Sequence, residues 1–150
     1  MGKYNVCVYA ICKNEEPFAD RWMDSMLEAD RVVVLDTGSE DGTVERLRER
    51  GAEVTVEVIS PWRFDTARNR SLELVPQDAD ICVCTDLDEV FHPGWREALE
   101  RVWVPEAGQA SYRYTWSFNA DGSEGVVFWY EKIHARRGYR WVHPVHEVLK

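Results

Sequence analysis

Hydrophobic positions alternate between two spacings along roughly the first two-thirds of the chain. Residues 5–11 are an apolar, β-branched run. Residues 31–36 contain Val32-Val33-Val34-Leu35, and residues 80–85 contain Ile81-Cys82-Val83-Cys84. Residues 53–59 place Val54, Val56 and Val58 at every second position. Each run has the length of a strand. Between them the apolar spacing changes to three and four. Pro17 opens a helix whose apolar face is Phe18, Trp22, Met23, Met26 and Leu27. Residues 42–50 form a short helix that Gly51 terminates. Residues 65–75 form a third, and Pro93 opens a fourth carrying Trp95, Leu99, Val102 and Trp103. Strands alternating with helices predict parallel β-α-β units in an α/β sandwich. Near-continuous apolar strands predict a sheet covered on both faces.

Beyond residue 108 the pattern changes. Residues 111–118 alternate strictly, with Tyr112, Tyr114, Trp116 and Phe118 on one side, and residues 126–130 and 139–142 add further strands. Asn119-Ala120-Asp121-Gly122 and Arg137-Gly138 are the turn signals between them. This part is antiparallel and aromatic. Its stripe reads first as a second face of the core and second as a platform for a sugar ring. Lys132, Arg136, Arg137 and Arg140 are the one basic cluster, read first as a solvated hairpin and second as an anion contact.

With 150 residues the chain fits one domain, residues 1–150, with a substantial core. Lys plus Arg is 18 against 27 Asp plus Glu, a formal charge of −9. That balance argues against coating a nucleic acid, but not against a small phosphorylated ligand whose charge a metal ion offsets. No apolar run approaches the ~20 residues that span a bilayer, and the N-terminal apolar stretch is too short for a secretory signal. Cys7, Cys12, Cys82 and Cys84 lie in strand-like segments without zinc spacing, as reduced core thiols would in the cytoplasm.

In an open parallel sheet, ligands bind beyond the carboxyl ends of the strands. The four strand ends here are followed by Lys13-Asn14-Glu15-Glu16, by Asp36-Thr37-Gly38-Ser39-Glu40-Asp41-Gly42-Thr43, by Pro61 to Asn69, and by Asp86-Leu87-Asp88-Glu89. Four polar, mostly acidic ends on one edge define a site. Asp86 and Asp88, at positions i and i+2, aim two carboxylates at one point. Hard oxygen ligands of this kind suit Mg2+ or Mn2+ holding substrate phosphates. In the second segment, Asp41 can cap the following helix. Glu40-Asp41-Gly42-Thr43 matches the end of the haloacid-dehalogenase phosphatase motif, but Ser39 stands where the nucleophilic Asp would be.

Taken in order, Lys13-Asn14-Glu15, Asp36-x-Gly38-Ser39-x-Asp41-Gly42-Thr43, Phe64-Asp65-x-Ala67-Arg68-Asn69 and Asp86-x-Asp88-Glu89 resemble family 2 glycosyltransferases with the GT-A fold. The ending Trp141, then Val145-His146-Glu147, is similar to one bacterial branch. The resemblance implies a three-layer sandwich with a mostly parallel central sheet. It implies inverting transfer from a nucleotide diphosphate sugar, a UDP-sugar first among them, to a carbohydrate or lipid-linked acceptor. Bacterial glycan or lipopolysaccharide assembly is the setting by analogy. Asn14, Glu15 and Asp41 would border the donor pocket, and Asp36 would bind the base or ribose. Arg68 would lie near the base or diphosphate. Asp86 and Asp88 would serve Mn2+ or Mg2+, Asp88 by direct contact, with His146 a further metal or phosphate contact.

An acceptor hydroxyl needs a general base as it attacks. Glu147 ranks first, then Glu131, Glu124 and Asp121. Pro144 keeps His143 and His146 off a shared helical face, and His92 and His134 read as structural or surface residues. The chain stops three residues after Glu147, where relatives continue. A minimal or truncated domain is therefore expected, and oligomeric state, homo-oligomers included, stays open. The alternative function is a non-catalytic nucleotide-sugar-binding domain without a complete acceptor site.

Overall fold

The alternation of β1 (Val6–Cys12) already divides the protein into layers. Val6, Val8 and Ala10 enter one apolar cluster, while Cys7 and Tyr9 enter another on the opposite face. A strand buried on both sides needs a covering layer above and below. The computed structural model describes residues 3–150. Helices α1 (Glu16–Met26), α2 (Thr43–Glu49) and α4 (Trp95–Val102) supply apolar residues to the first cluster, and α3 (Phe64–Glu73) to the second.

The central sheet has the order β3-β2-β1-β4-β6-β5. Strands β2 (Arg31–Asp36), β3 (Glu53–Val56) and β4 (Ile81–Cys84) continue β1 in parallel. Strands β5 (Gln109–Thr115) and β6 (Val127–His134) form an antiparallel hairpin docked on β4 through Cys82–His134 and Val83–Ile133. Short β7 (Trp141–Val142) and β8 (Val148–Leu149) pair separately. The chain winds outward from β1 in one direction and then returns to place β4 on its other side. The crevice beyond the carboxyl ends of β1 and β4 is thus the switch point where such sheets bind ligands.

Several expectations change in detail. In α1, Ala19, Trp22, Met23 and Met26 are buried, but Phe18 and Leu27 are 37% and 60% exposed. Strand β3 lies at the sheet edge and ends at Val56, and Val56 and Val58 are exposed. On α4, Leu99 and the following Trp103 are buried and Val102 is exposed. The outer half of the aromatic stripe is not core: Trp116 and Phe118 are 64% and 67% exposed. The four cysteines are buried free thiols, and burial pushes Cys7 and Cys82 up to about 12. Among the described residues, no helix is long and apolar enough to cross a membrane.

Candidate active site

A cavity of about 330 Å3 opens at the β1–β4 switch point. Lys13 and Glu15 reach it from the end of β1, Thr37 from β2, Asp86 and Asp88 from β4, Arg68 from α3, and Glu147 from the β7–β8 turn. Trp62 and Phe64, edge to face with centroids 5.2 Å apart, line the same cavity. The backbone N–H of Phe64 donates to the Pro144 carbonyl at 3.0 Å, tying the start of α3 to that turn.

Arg68 organises the cationic side. It is 6% exposed, and its Nη2 donates to Asp86 Oδ1 at 2.6 Å. Its guanidinium lies 5.5 Å from the centre of the Trp141 ring, a cation–π contact. Burial opposes its charge, but the negative groups around it, Asp86 first among the carboxylates, hold its pKa above the ordinary value. Its Nε is buried without a hydrogen-bond partner. Trp141 is itself held by Asn69, which donates to its carbonyl at 2.8 Å and accepts from its N–H at 2.7 Å.

A second buried pair lies behind Asp86. Lys132 Nζ donates to Glu89 Oε1 at 2.8 Å and is 3.8 Å from Asp86 Oδ2. Glu89 also accepts the Asp86 N–H at 2.9 Å and the Tyr112 hydroxyl at 2.8 Å. A buried ionic network is tolerable only when each charge has partners. Burial raises the Asp86 pKa, yet Arg68 and Lys132 outweigh it and hold the carboxyl below its ordinary value. Lys132 was expected on a solvated hairpin. It is 7% exposed and belongs to the site, because β6 docks on β4 with this side chain beside Glu89. Arg137 and Arg140 are exposed, and Arg136 Nε donates to the Val75 carbonyl.

The remaining predicted residues divide. Glu15 is half-buried beside the two aspartates, and burial, then the charges of Asp88 and Asp86, push it up to about 7. Asn14 is exposed and braces the neighbouring loop, its N–H donating to Ser39 Oγ and its Oδ1 accepting the Glu40 N–H. Asp36 is fully buried. Its Oδ1 accepts the N–H groups of Gly38 and Ser39, and its Oδ2 the Ser39 hydroxyl and the Cys12 thiol. It therefore shapes the loop that presents Thr37 instead of facing the cavity. Asp41 accepts the Thr43 N–H at the start of α2 and the Glu16 N–H, on the α1 side of the loop. The Glu16 carboxylate closes over this loop, its Oε1 accepting the Gly42 N–H at 3.0 Å.

Glu147 points into the cavity, with one carboxylate oxygen buried and unpartnered. His146, expected as a further metal or phosphate contact, does not line the cavity. His146 is exposed in the turn at φ 55°, and its neighbour Glu147 takes the inward position. Buried His134 accepts a 2.6 Å hydrogen bond from the Tyr9 hydroxyl at Nε2, a structural role. Among the described residues, no group of three or more His, Cys, Asp or Glu side chains is arranged to hold a metal ion alone. The donor set instead fits Mg2+ or Mn2+ bound through one or two carboxylates, with phosphate and water oxygens completing the shell. The gathering of Glu15, Asp86 and Asp88 in one cavity wall is the local observation favouring a cation beside Asp88.

The switch-point cavity, the mostly parallel sheet and the acidic strand end define a GT-A architecture. The sequence matches Glycosyl transferase family 2 over residues 7–143, and the chain belongs to that family. The match ends at residue 143, before Val145-His146-Glu147. The fold is similar to a mannosyltransferase from Pyrobaculum calidifontis solved with GDP-Man and Mn2+. The TM-score is 0.60 at 24% identity, covering 72% of this chain and 35% of that one. It is also similar to glucosyl-3-phosphoglycerate synthase from Mycobacterium tuberculosis in complex with Mn2+, UDP and glucosyl-3-phosphoglycerate. There the TM-score is 0.54 at 29% identity, covering 65% of this chain and 38% of that one. The chain thus spans between about a third and two-fifths of the length of these proteins.

Proposed function

We propose that this chain transfers a sugar from a nucleotide diphosphate sugar to an acceptor hydroxyl, with inversion and with Mn2+ or Mg2+ as cofactor. The observation that carries the reading is the meeting of Arg68, Asp86, Asp88, Glu15 and Glu147 in one cavity at the switch point. Asp88, with Asp86 behind it, would hold the divalent ion. Such an ion, when bound, neutralises charge growing on the departing diphosphate. Arg68 adds fixed positive charge, kept in place by Asp86 and Trp141. Trp62 and Phe64 offer aromatic surface to a base. Glu147 would take the acceptor proton as that oxygen attacks the anomeric carbon. By analogy with the bacterial branch that its ending resembles, the acceptor belongs to glycan or lipopolysaccharide assembly in the cytoplasm.

One observation favours the second reading, a nucleotide-sugar-binding domain without turnover. Glu147 lines the same cavity as Arg68, whereas a base belongs opposite the leaving group that Arg68 would face. Calorimetric titration of UDP, GDP, dTDP and CDP, with and without Mn2+, tests the shared premise. Metal-dependent binding of one nucleotide supports it and names the donor class. Turnover with that nucleotide's sugar conjugates separates the two readings. A folded protein binding none of the four would overturn both.

A further inference from the structure

The β5–β6 hairpin carries a set of aromatic rings that the donor site does not use. Tyr112 stands opposite Tyr130, and Tyr114 opposite Phe128, so all four share one face. Tyr114 lies 4.7 Å from Tyr130 and 5.4 Å from Phe128, centroid to centroid, and Phe128 lies 4.9 Å from Tyr130. The cluster grows directly out of the ion network. Tyr112 bonds Glu89, and the Lys132 ammonium sits 4.2 Å from the centre of the Tyr130 ring. Tyr112 is half-buried and packs against Phe91, but Phe128 is 36% exposed, and Trp116 farther out is 64% exposed.

We propose that Tyr114, Phe128 and Tyr130 form the floor on which a sugar ring of the acceptor stacks, so that the acceptor is a glycan held by its ring and not only by its reacting hydroxyl. This deepens the glycosyl-transfer reading and rests on it. The occupant follows from chemistry and continuity. The floor adjoins the strand end bearing Asp86 and Asp88, where an acceptor must arrive. Partly exposed aromatic rings that carry phenol hydroxyls match a pyranose, which has an apolar C–H face and a hydroxyl rim. A lipid surface fits less well. The hairpin turn beyond Trp116 and Phe118 carries Asp121 and Glu124, and the chain has a net charge of −9, both unfavourable beside an anionic leaflet.

The test is saturation-transfer NMR on the full chain with Mg2+ and the tightest-binding nucleotide diphosphate. The probes are the methyl glycosides of glucose, galactose, mannose and N-acetylglucosamine. Transfer to the C–H protons of one ring face is expected for at least one glycoside. Phe128→Ala should weaken that binding about tenfold, and Phe128→Tyr should retain it. Nucleotide affinity should not change in either variant, and the melting temperature should fall modestly in Phe128→Ala, which removes a ring packed on Tyr114 and Tyr130, and hold in Phe128→Tyr. Nucleotide binding without glycoside transfer overturns the platform, as does transfer unaffected by Phe128→Ala. Absent nucleotide binding instead marks failure of the donor reading, so the two failures are distinct. Phe128-dependent co-sedimentation with phosphatidylethanolamine–phosphatidylglycerol vesicles would also overturn the proposal, in favour of a lipid.

Discussion

Arg68 grips Asp86 at 2.6 Å, whereas Asp88, two residues on, is exposed at the cavity. The two aspartates are therefore unequal. Asp86 is half of a partly buried ion pair, and Asp88 keeps its carboxylate available. Removing Arg68 strips Asp86 of its nearest counter-charge and takes fixed positive charge from the cavity wall. Arg68→Ala should destabilise the fold by about 2 kcal/mol, visible as a lower urea midpoint, and should abolish nucleotide binding in calorimetry. Arg68→Lys keeps the charge but loses the planar fork and most of the stacking on Trp141, so intermediate affinity is expected. Wild-type affinity in Arg68→Ala would remove the guanidinium from the donor site.

The same inequality separates the aspartates by experiment. Asp88→Asn should leave the melting temperature unchanged while lowering Mn2+-dependent nucleotide affinity on the order of 100-fold. Asp86→Asn should lower stability as well, because Arg68 and Lys132 both face that carboxylate. Calorimetry paired with thermal melts distinguishes the cases. Equal losses of affinity and stability in both variants would contradict the division of roles.

Glu147 carries the catalytic step of the proposal. Glu147→Gln should bind nucleotide as the wild type does and lose turnover by at least about 100-fold, the scale of general-base catalysis. A single-turnover assay with the cognate sugar nucleotide measures this. Turnover that survives the change moves the base to another carboxylate. Turnover absent from the wild type, with nucleotide still bound, favours the binding-domain reading.

Much of the frame was legible because it depends on local pattern. The strands β1, β2 and β4 are apolar on both faces, and the acidic pair follows β4 directly, so strand order alone sends Asp86 and Asp88 to the binding edge. What stayed hidden depends on distant partners. Glu89 and Lys132 are 43 positions apart and meet only through the β4–β6 register. Asn69 and Trp141 are 72 apart. The inward turn of Asp36 depends on two loop N–H groups from Gly38 and Ser39, which no spacing rule reveals. Phe18 and Leu27 satisfy the helical periodicity of α1, yet they lie at the margins of its buried stripe.

Two titratable groups, buried His134 and half-buried Glu15, should make stability nearly independent of pH over a window where each alone would tilt it. Trp141 Nε1 donates to the Tyr9 hydroxyl, Tyr9 donates to His134 Nε2, and His134 Nδ1 donates to the Ala135 carbonyl. This chain requires neutral His134, and burial lowers its pKa from 6.5 to about 4. Between those values the unfolded chain binds more protons, so stability rises with pH, by about 3 kcal/mol in all. Glu15 does the opposite. Its pKa rises from 4.5 to about 7, so over that range the folded chain binds more protons and stability falls as pH rises. The slopes oppose each other where the windows overlap. Glu15→Gln should therefore leave a stability that climbs with pH, and His134→Gln one that declines. Urea midpoints measured across the window read both slopes. An unchanged profile in His134→Gln would mean that this imidazole is not held neutral by the fold.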